Sequence, residues 1–128
     1  MGVLDGLETT LKNCRLYYQW HRKEEADAPT VLLLHGWGCD SSIFSFIENG
    51  LSEGASVLSV DFPGHGKSGD PQEPWGVPDY TEQIVLLLDE LSLSKVDVVA
   101  HSFGGRVALW LASHHPERVE RLVITGGA

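Results

Sequence analysis

Val96-Asp97-Val98-Val99-Ala100-His101-Ser102-Phe103-Gly104-Gly105 is the stretch that decides how this 128-residue chain folds. Val96 to Ala100 is a short β-prone run, and a helix is predicted from Phe103 to about Ser113, which places Ser102 on a strand-to-helix turn. A turn that sharp strains its central residue, and small residues two positions to either side let the backbones pass closely. Ala100 and Gly104 supply them. The pattern is that of a nucleophile elbow, with Ala where the first glycine of G-x-S-x-G usually stands and His101 as a supporting residue of the turn. The Phe103 N–H, with the helix dipole behind it, would point to where an oxyanion forms. A plainer alternative, Ser102 as an ordinary helix N-cap, stays open.

Upstream, Val31 to Leu34 is a continuous apolar run, as expected of a strand buried on both faces of a parallel sheet. It ends in His35-Gly36-Trp37-Gly38, a glycine-flanked turn able to aim a second backbone N–H, that of Trp37, at the same oxyanion. His35 reads as a turn-supporting histidine rather than a general base, because it lies upstream among apolar neighbours. The Trp37 ring is equally consistent with a pocket wall and with plain core.

The remaining signals alternate between strand and helix. Cys14 to Trp20 reads as an early strand. Ile43, Phe44, Ile47 and Leu51 recur at helical spacing after Asp40, Ser41 and Ser42 as candidate caps, with Gly54 as the stop. Ala55 to Val60 is the next strand, and Asp61 to Pro78 a long loop rich in glycine and proline. Asp79 and Glu82 have capping-box spacing ahead of Ile84, Leu87, Leu88 and Leu91. Leu122 to Thr125 is a final strand. Such alternation predicts an α/β domain: a mostly parallel sheet with right-handed crossovers and helices on both faces.

Gly64-His65-Gly66-Lys67-Ser68-Gly69 satisfies the dinucleotide-binding pattern G-x-G-x-x-G after a predicted strand, but the pattern needs a helix to begin there. Asp70-Pro71 and Pro74 to Pro78 follow instead, and so many prolines cannot present a helix N-terminus to a pyrophosphate. Gly66-Lys67-Ser68 is not a P-loop either, since Asp61 stands where its first glycine belongs. Asp61 to Ser68 is left as a surface turn or as the lining of a site.

Composition narrows the function classes. With 42% apolar and 21% charged residues the chain is globular rather than disordered, and nine Lys+Arg against 18 Asp+Glu give a net charge of −9. Phosphate backbones would be repelled, so nucleic acid is not an expected partner. Met1 to Asp5 lacks the basic and apolar regions of a leader, and the apolar runs are far too short to span a bilayer, which makes the cytoplasm the expected compartment. Cys14 and Cys39 have no C-x-x-C spacing and read as free thiols; no cofactor and no metal is expected.

Together, Val31 to Gly38, Asp61 to Ser68 and His101 to Gly105 resemble, in order and spacing, the α/β-hydrolase superfamily, in the branch with a His-Gly-x-Gly oxyanion turn and a serine elbow. The resemblance implies Ser102 as nucleophile, the Trp37 and Phe103 N–H groups as oxyanion hole, and His35, Gly36, Gly38, Ala100, His101 and Gly104 as support. The implied activity is hydrolysis of small-molecule carboxylic esters or related acyl substrates, and the His-Gly-Trp-Gly form is similar to that of small carboxylesterases. A serine at 102 argues against the carboxylate nucleophile of haloalkane dehalogenases and epoxide hydrolases.

In this fold the triad acid and base follow the serine in sequence. Downstream of Ser102 there is no Asp; the acids are Glu117 and Glu120, and the histidines are His114 and His115. On a helix rising about 1.5 Å per residue, His114 would stand roughly 18 Å from Ser102. The chain therefore reads as the N-terminal portion of a hydrolase, ending after the sixth strand of the usual eight and nearly inactive alone. A second reading is a non-catalytic half-fold that self-associates through its open sheet edge, or an inactive fragment.

Overall fold

The computed structural model describes residues 6–126, so the leader reading of Met1 to Asp5 falls outside it. Six strands form one sheet: β1 (Gly6–Leu11), β2 (Cys14–His21), β3 (Thr30–Leu34), β4 (Ser56–Asp61), β5 (Val96–His101) and β6 (Val119–Thr125), in the spatial order β1-β2-β4-β3-β5-β6. β3 pairs in parallel with β4 and β5, and β5 with β6, while β1 and β2 are antiparallel additions. Three helices connect them: α1 (Ser45–Ser52), α2 (Val77–Glu90) and α3 (Phe103–His114).

The apolar run of β3 is divided between two cores because side chains alternate across a sheet. Leu32 and Leu34 join Leu16, Leu58, Val60, Val98 and Ala100 beneath α2 and α3, where Ile84, Leu87, Leu88, Val107 and Leu111 are fully buried. Val31 and Leu33 join Val57, Phe44 and Ala55 on the opposite face, against Ile47 and Leu51 of α1. Helices thus cover both faces, as the β/α alternation predicts.

Three local features differ from the sequence expectations. β1 carries no strong apolar alternation, Leu7 and Leu11 being its apolar residues, and it forms by hairpin pairing with β2 through Lys12 and Asn13, both at positive φ (57° and 58°). The helix expected near Ile43 opens with a 3₁₀ turn, Ser41–Phe44, capped by Asp40, whose Oδ1 accepts from the Ser42 N–H at 2.9 Å. α2 starts at Val77 rather than after Asp79. Asp79 is its third residue, and its Oδ2 accepts from the Gly76 N–H at 2.9 Å, while Pro78 occupies the first turn, where no backbone donor is needed.

Candidate active site

At the C-terminal ends of the parallel strands, Ser102 joins β5 to α3 with φ 54° and ψ −114°, a backbone conformation that costs energy for any residue with a Cβ. The surroundings hold it there. The Ser102 N–H donates to the Thr125 carbonyl at 2.9 Å, and the Gly105 N–H donates to the Ser102 carbonyl at 2.8 Å. Ala100 is fully buried, and a Cβ on Gly104 would meet the Leu34 carbonyl oxygen at 2.3 Å, so α3 rests directly on the end of β3. Although Ser102 occupies the N-cap position of α3, its hydroxyl makes no capping bond.

The turn after β3 lies against this elbow. A Cβ on Gly36 would stand 3.2 Å from both the Ser102 Cβ and the His101 ring. His35 is fully buried: its Nε2 accepts from the Phe62 N–H at 2.9 Å, so the proton sits on Nδ1, which donates to the Gly36 carbonyl at 2.7 Å. Burial pushes this imidazole below its ordinary pKa and keeps it neutral, with the bond to Gly36 opposing the shift in part. His35 thus links the β3 turn to the β4 turn. Among the described residues, neither the Trp37 N–H nor the Phe103 N–H has an acceptor.

Trp37 settles as wall rather than core, since it is 63% exposed. Its ring meets those of Phe103 at 5.2 Å and His65 at 4.8 Å, edge to face. It borders a cavity of about 970 Å³ whose walls include Ile43, Pro63, His65, Trp75 and Tyr80, with Asp40 and Glu73 as the charged groups and no Lys or Arg. Ser102 is not part of that wall; Trp37, touching Phe103 on one side and the cavity on the other, connects the two. The Asp61–Ser68 segment lines this cavity through Pro63 to Gly66. It is held by buried Asp61, whose two carboxylate oxygens accept from the Ser41 and Lys67 N–H groups, each at 2.9 Å. The Lys67 ammonium lies 5.1 Å above the Tyr17 ring.

No base stands beside Ser102 among the described residues, and no side chain hydrogen-bonds its hydroxyl. His101 turns toward β6, its Nδ1 lying 3.1 Å from Thr125 Oγ1. His114 stacks on Trp110 at the far end of α3, and His115 lies 3.9 Å from Glu117. Neither a metal-holding cluster of three or more His, Cys, Asp or Glu nor a helix long and apolar enough to cross a membrane occurs among them. Cys14 and Cys39 are free.

One residue of this site was not legible in the sequence. His65 contacts Gly38 and Trp37 from 27 and 28 positions away, and no local spacing signals such a contact.

A mostly parallel sheet with helices on both faces and a serine on a strained elbow is the α/β-hydrolase architecture. Residues 29–127 match the family model described as "alpha/beta hydrolase fold", and the chain belongs to that family. It is 34% identical over 108 residues to the pimeloyl-[acyl-carrier protein] methyl ester esterase of Neisseria meningitidis, covering 84% of this chain and 33% of that one. Among solved structures it resembles a hydrolase from Pseudomonas aeruginosa (28% identity, TM-score 0.90, 97% of this chain and 46% of that one). It also resembles the enol-lactonase from Burkholderia xenovorans (28% identity, TM-score 0.85, 91% and 45%). The chain spans 28% to 45% of the length of the curated relatives it matches.

Proposed function

We propose that this chain carries the nucleophile and oxyanion hole of a serine hydrolase acting on carboxylic esters or related acyl substrates. The observation that carries the reading is the elbow itself: Ser102, at φ 54°, keeps its hydroxyl out of helix capping and lies against Gly36 of the oxyanion turn. Strain of this kind persists where the surrounding structure over-determines it, and it concentrates at functional sites. In the proposed reaction the Ser102 oxygen attacks the acyl carbon and its proton passes to a general base. The Trp37 and Phe103 N–H groups take the charge on the carbonyl oxygen, the alcohol leaves, and water then releases the acid. Relatives that cleave a methyl ester and an enol-lactone by name support the acyl class.

The described residues supply no base, so this 128-residue chain acylates slowly by itself, with at most about 10³- to 10⁴-fold over water available from binding and oxyanion stabilisation. Fluorophosphonate labelling followed by peptide mapping tests the assignment. Slow labelling at Ser102, built up over long incubation and lost in Ser102→Ala, is the expected result; undiminished labelling in Ser102→Ala removes the assignment. Rapid p-nitrophenyl ester turnover by this chain, dependent on Ser102, would contradict the missing base.

The competing reading, a binding or self-associating module, draws on the edge strand β6, where Val123 is 54% exposed. Open edges with exposed apolar residues invite pairing. Sedimentation discriminates: a concentration-dependent dimer abolished by Val123→Lys favours it, and a monomer at all concentrations disfavours it.

A further inference from the structure

We propose that His65 is a positioning residue for the oxyanion turn: its neutral ring grips the Gly38 N–H and thereby sets the orientation of the Trp37 backbone beside Ser102. The consequence for chemistry rests on the serine-hydrolase reading above, whereas the grip itself does not. His65 Nε2 accepts from the Gly38 N–H at 2.9 Å, and its Nδ1 lies 3.1 Å from the Pro63 carbonyl. A ring nitrogen that accepts carries no proton, so Nδ1 bears the hydrogen and donates to Pro63. The arrangement mirrors that of His35. His35 reaches from the β3 turn to a backbone N–H after β4, and His65 reaches from the β4 turn to a backbone N–H after β3, with the two rings 5.2 Å apart.

The Gly38 nitrogen belongs to the planar peptide unit that begins at the Trp37 carbonyl, so fixing its N–H fixes the ψ rotation of Trp37. Gly38 has φ 79° and nothing within 4 Å of a would-be Cβ; the turn is closed by the Cys39 N–H donating to the Gly36 carbonyl at 3.1 Å, and His65 is the partner of the Gly38 N–H inside it. The His65 loop is anchored: the His65 N–H donates to the Phe62 carbonyl at 2.9 Å, Gly64 to Gly69 at 2.8 Å, and Ser68 to His65 at 3.1 Å. The Trp37 ring adds an edge-to-face contact with the same imidazole at 4.8 Å. Because the Gly38 amide is solvent-exposed, water replaces the lost acceptor, and removing the grip costs little global stability. Its effect falls on geometry, to which oxyanion stabilisation is sensitive.

Protonation of His65 turns Nε2 into a donor facing a donor and releases the turn. The titratable groups placed near the ring are His35 and Asp40, both from the β3 side.

Nuclear magnetic resonance of the whole chain tests the grip. The Gly38 amide shift is expected to follow the same titration curve as the His65 ring. In His65→Gln, whose amide oxygen can reach the same donor, that pH dependence should vanish while exchange protection stays within about threefold. In His65→Leu, Gly38 exchange should rise about three- to tenfold with the β2–β4 amides unchanged. Fluorophosphonate labelling of Ser102 is expected to slow about ten- to hundredfold in His65→Leu and largely recover in His65→Gln. A Gly38 shift independent of the His65 titration in the wild-type chain overturns the proposal, even if His65→Leu fails to fold. Gly38 exchange unaffected by His65→Leu also overturns it. Wild-type chain that does not label at Ser102 even over long incubation at high probe concentration, with the Gly38 coupling intact, instead refutes the hydrolase reading and leaves the grip standing.

Discussion

Gly104 and Leu34 are packed so closely that a Cβ on the glycine would stand 2.3 Å from the leucine carbonyl oxygen. This contact seats α3 on the end of β3 and brings the elbow to the turn that follows β3. Since the clashing atom is backbone, relief requires moving the helix or the strand. Gly104→Ala is expected to destabilise by about 2–3 kcal/mol. Gly50→Ala in α1, where a Cβ meets nothing within 4 Å, is expected to stabilise by about 0.5–1 kcal/mol. Urea denaturation of the two variants checks the pair; equal effects would contradict the close-contact account.

The Ser102 backbone stores strain that glycine would not feel. Ser102→Gly is expected to raise stability by about 1 kcal/mol while abolishing fluorophosphonate labelling, and Ser102→Ala to abolish labelling with little gain in stability. A gain in Ser102→Ala as large as in Ser102→Gly would locate the effect in the hydroxyl rather than in φ.

His35 couples stability to acidity. Burial lowers the folded-state pKa of its ring below the ordinary 6.5, so the unfolded chain binds the proton more readily. Stability therefore falls as pH drops below about 6.5 and stops falling once pH passes the depressed folded value. His35→Gln, which offers an amide oxygen to the Phe62 N–H, removes this dependence. Urea midpoints measured across that interval should slope less steeply in the variant than in the wild-type chain, and parallel slopes would refute the coupling.

The cavity beside Trp37 carries Asp40 and Glu73 and no basic side chain. Asp40 is held ionised by the Ser42 hydroxyl and N–H, which push its carboxyl below the usual range. A neutral fluorophosphonate with an apolar tail is expected to label Ser102 faster than one bearing a carboxylate, by about fivefold or more at low salt, with the gap shrinking as salt rises. Equal rates at low salt would show that this cavity does not receive the ligand.

Much of the fold was legible because the deciding signals are local. Val31 to Leu34 and Val96 to Ala100 announce buried strands by apolar continuity, and Ala100 and Gly104 frame the elbow within five residues. The position of Ser102 between β5 and α3 follows from that pattern. β1 was missed because its strand character comes from its partner rather than from its own residues. The start of α2 was misplaced because Asp79 has capping spacing both with Gly76 before it and with Glu82 after it. In the folded chain Asp79 serves the first, and Glu82 pairs with Lys12.

Local spacing and residue size, then, determined the alternation of strands and helices and the placing of Ser102, because turns and periodic apolar faces are made by neighbours in the chain. Only the tertiary structure decided the strand order β1-β2-β4-β3-β5-β6, the exposure of Trp37 on a cavity wall and the proton positions on His35 and His65. Each of these rests on contacts between distant segments. A histidine's tautomer in particular is selected by whichever backbone donor packing brings to its ring, here Phe62 for His35 and Gly38 for His65, each 27 positions away.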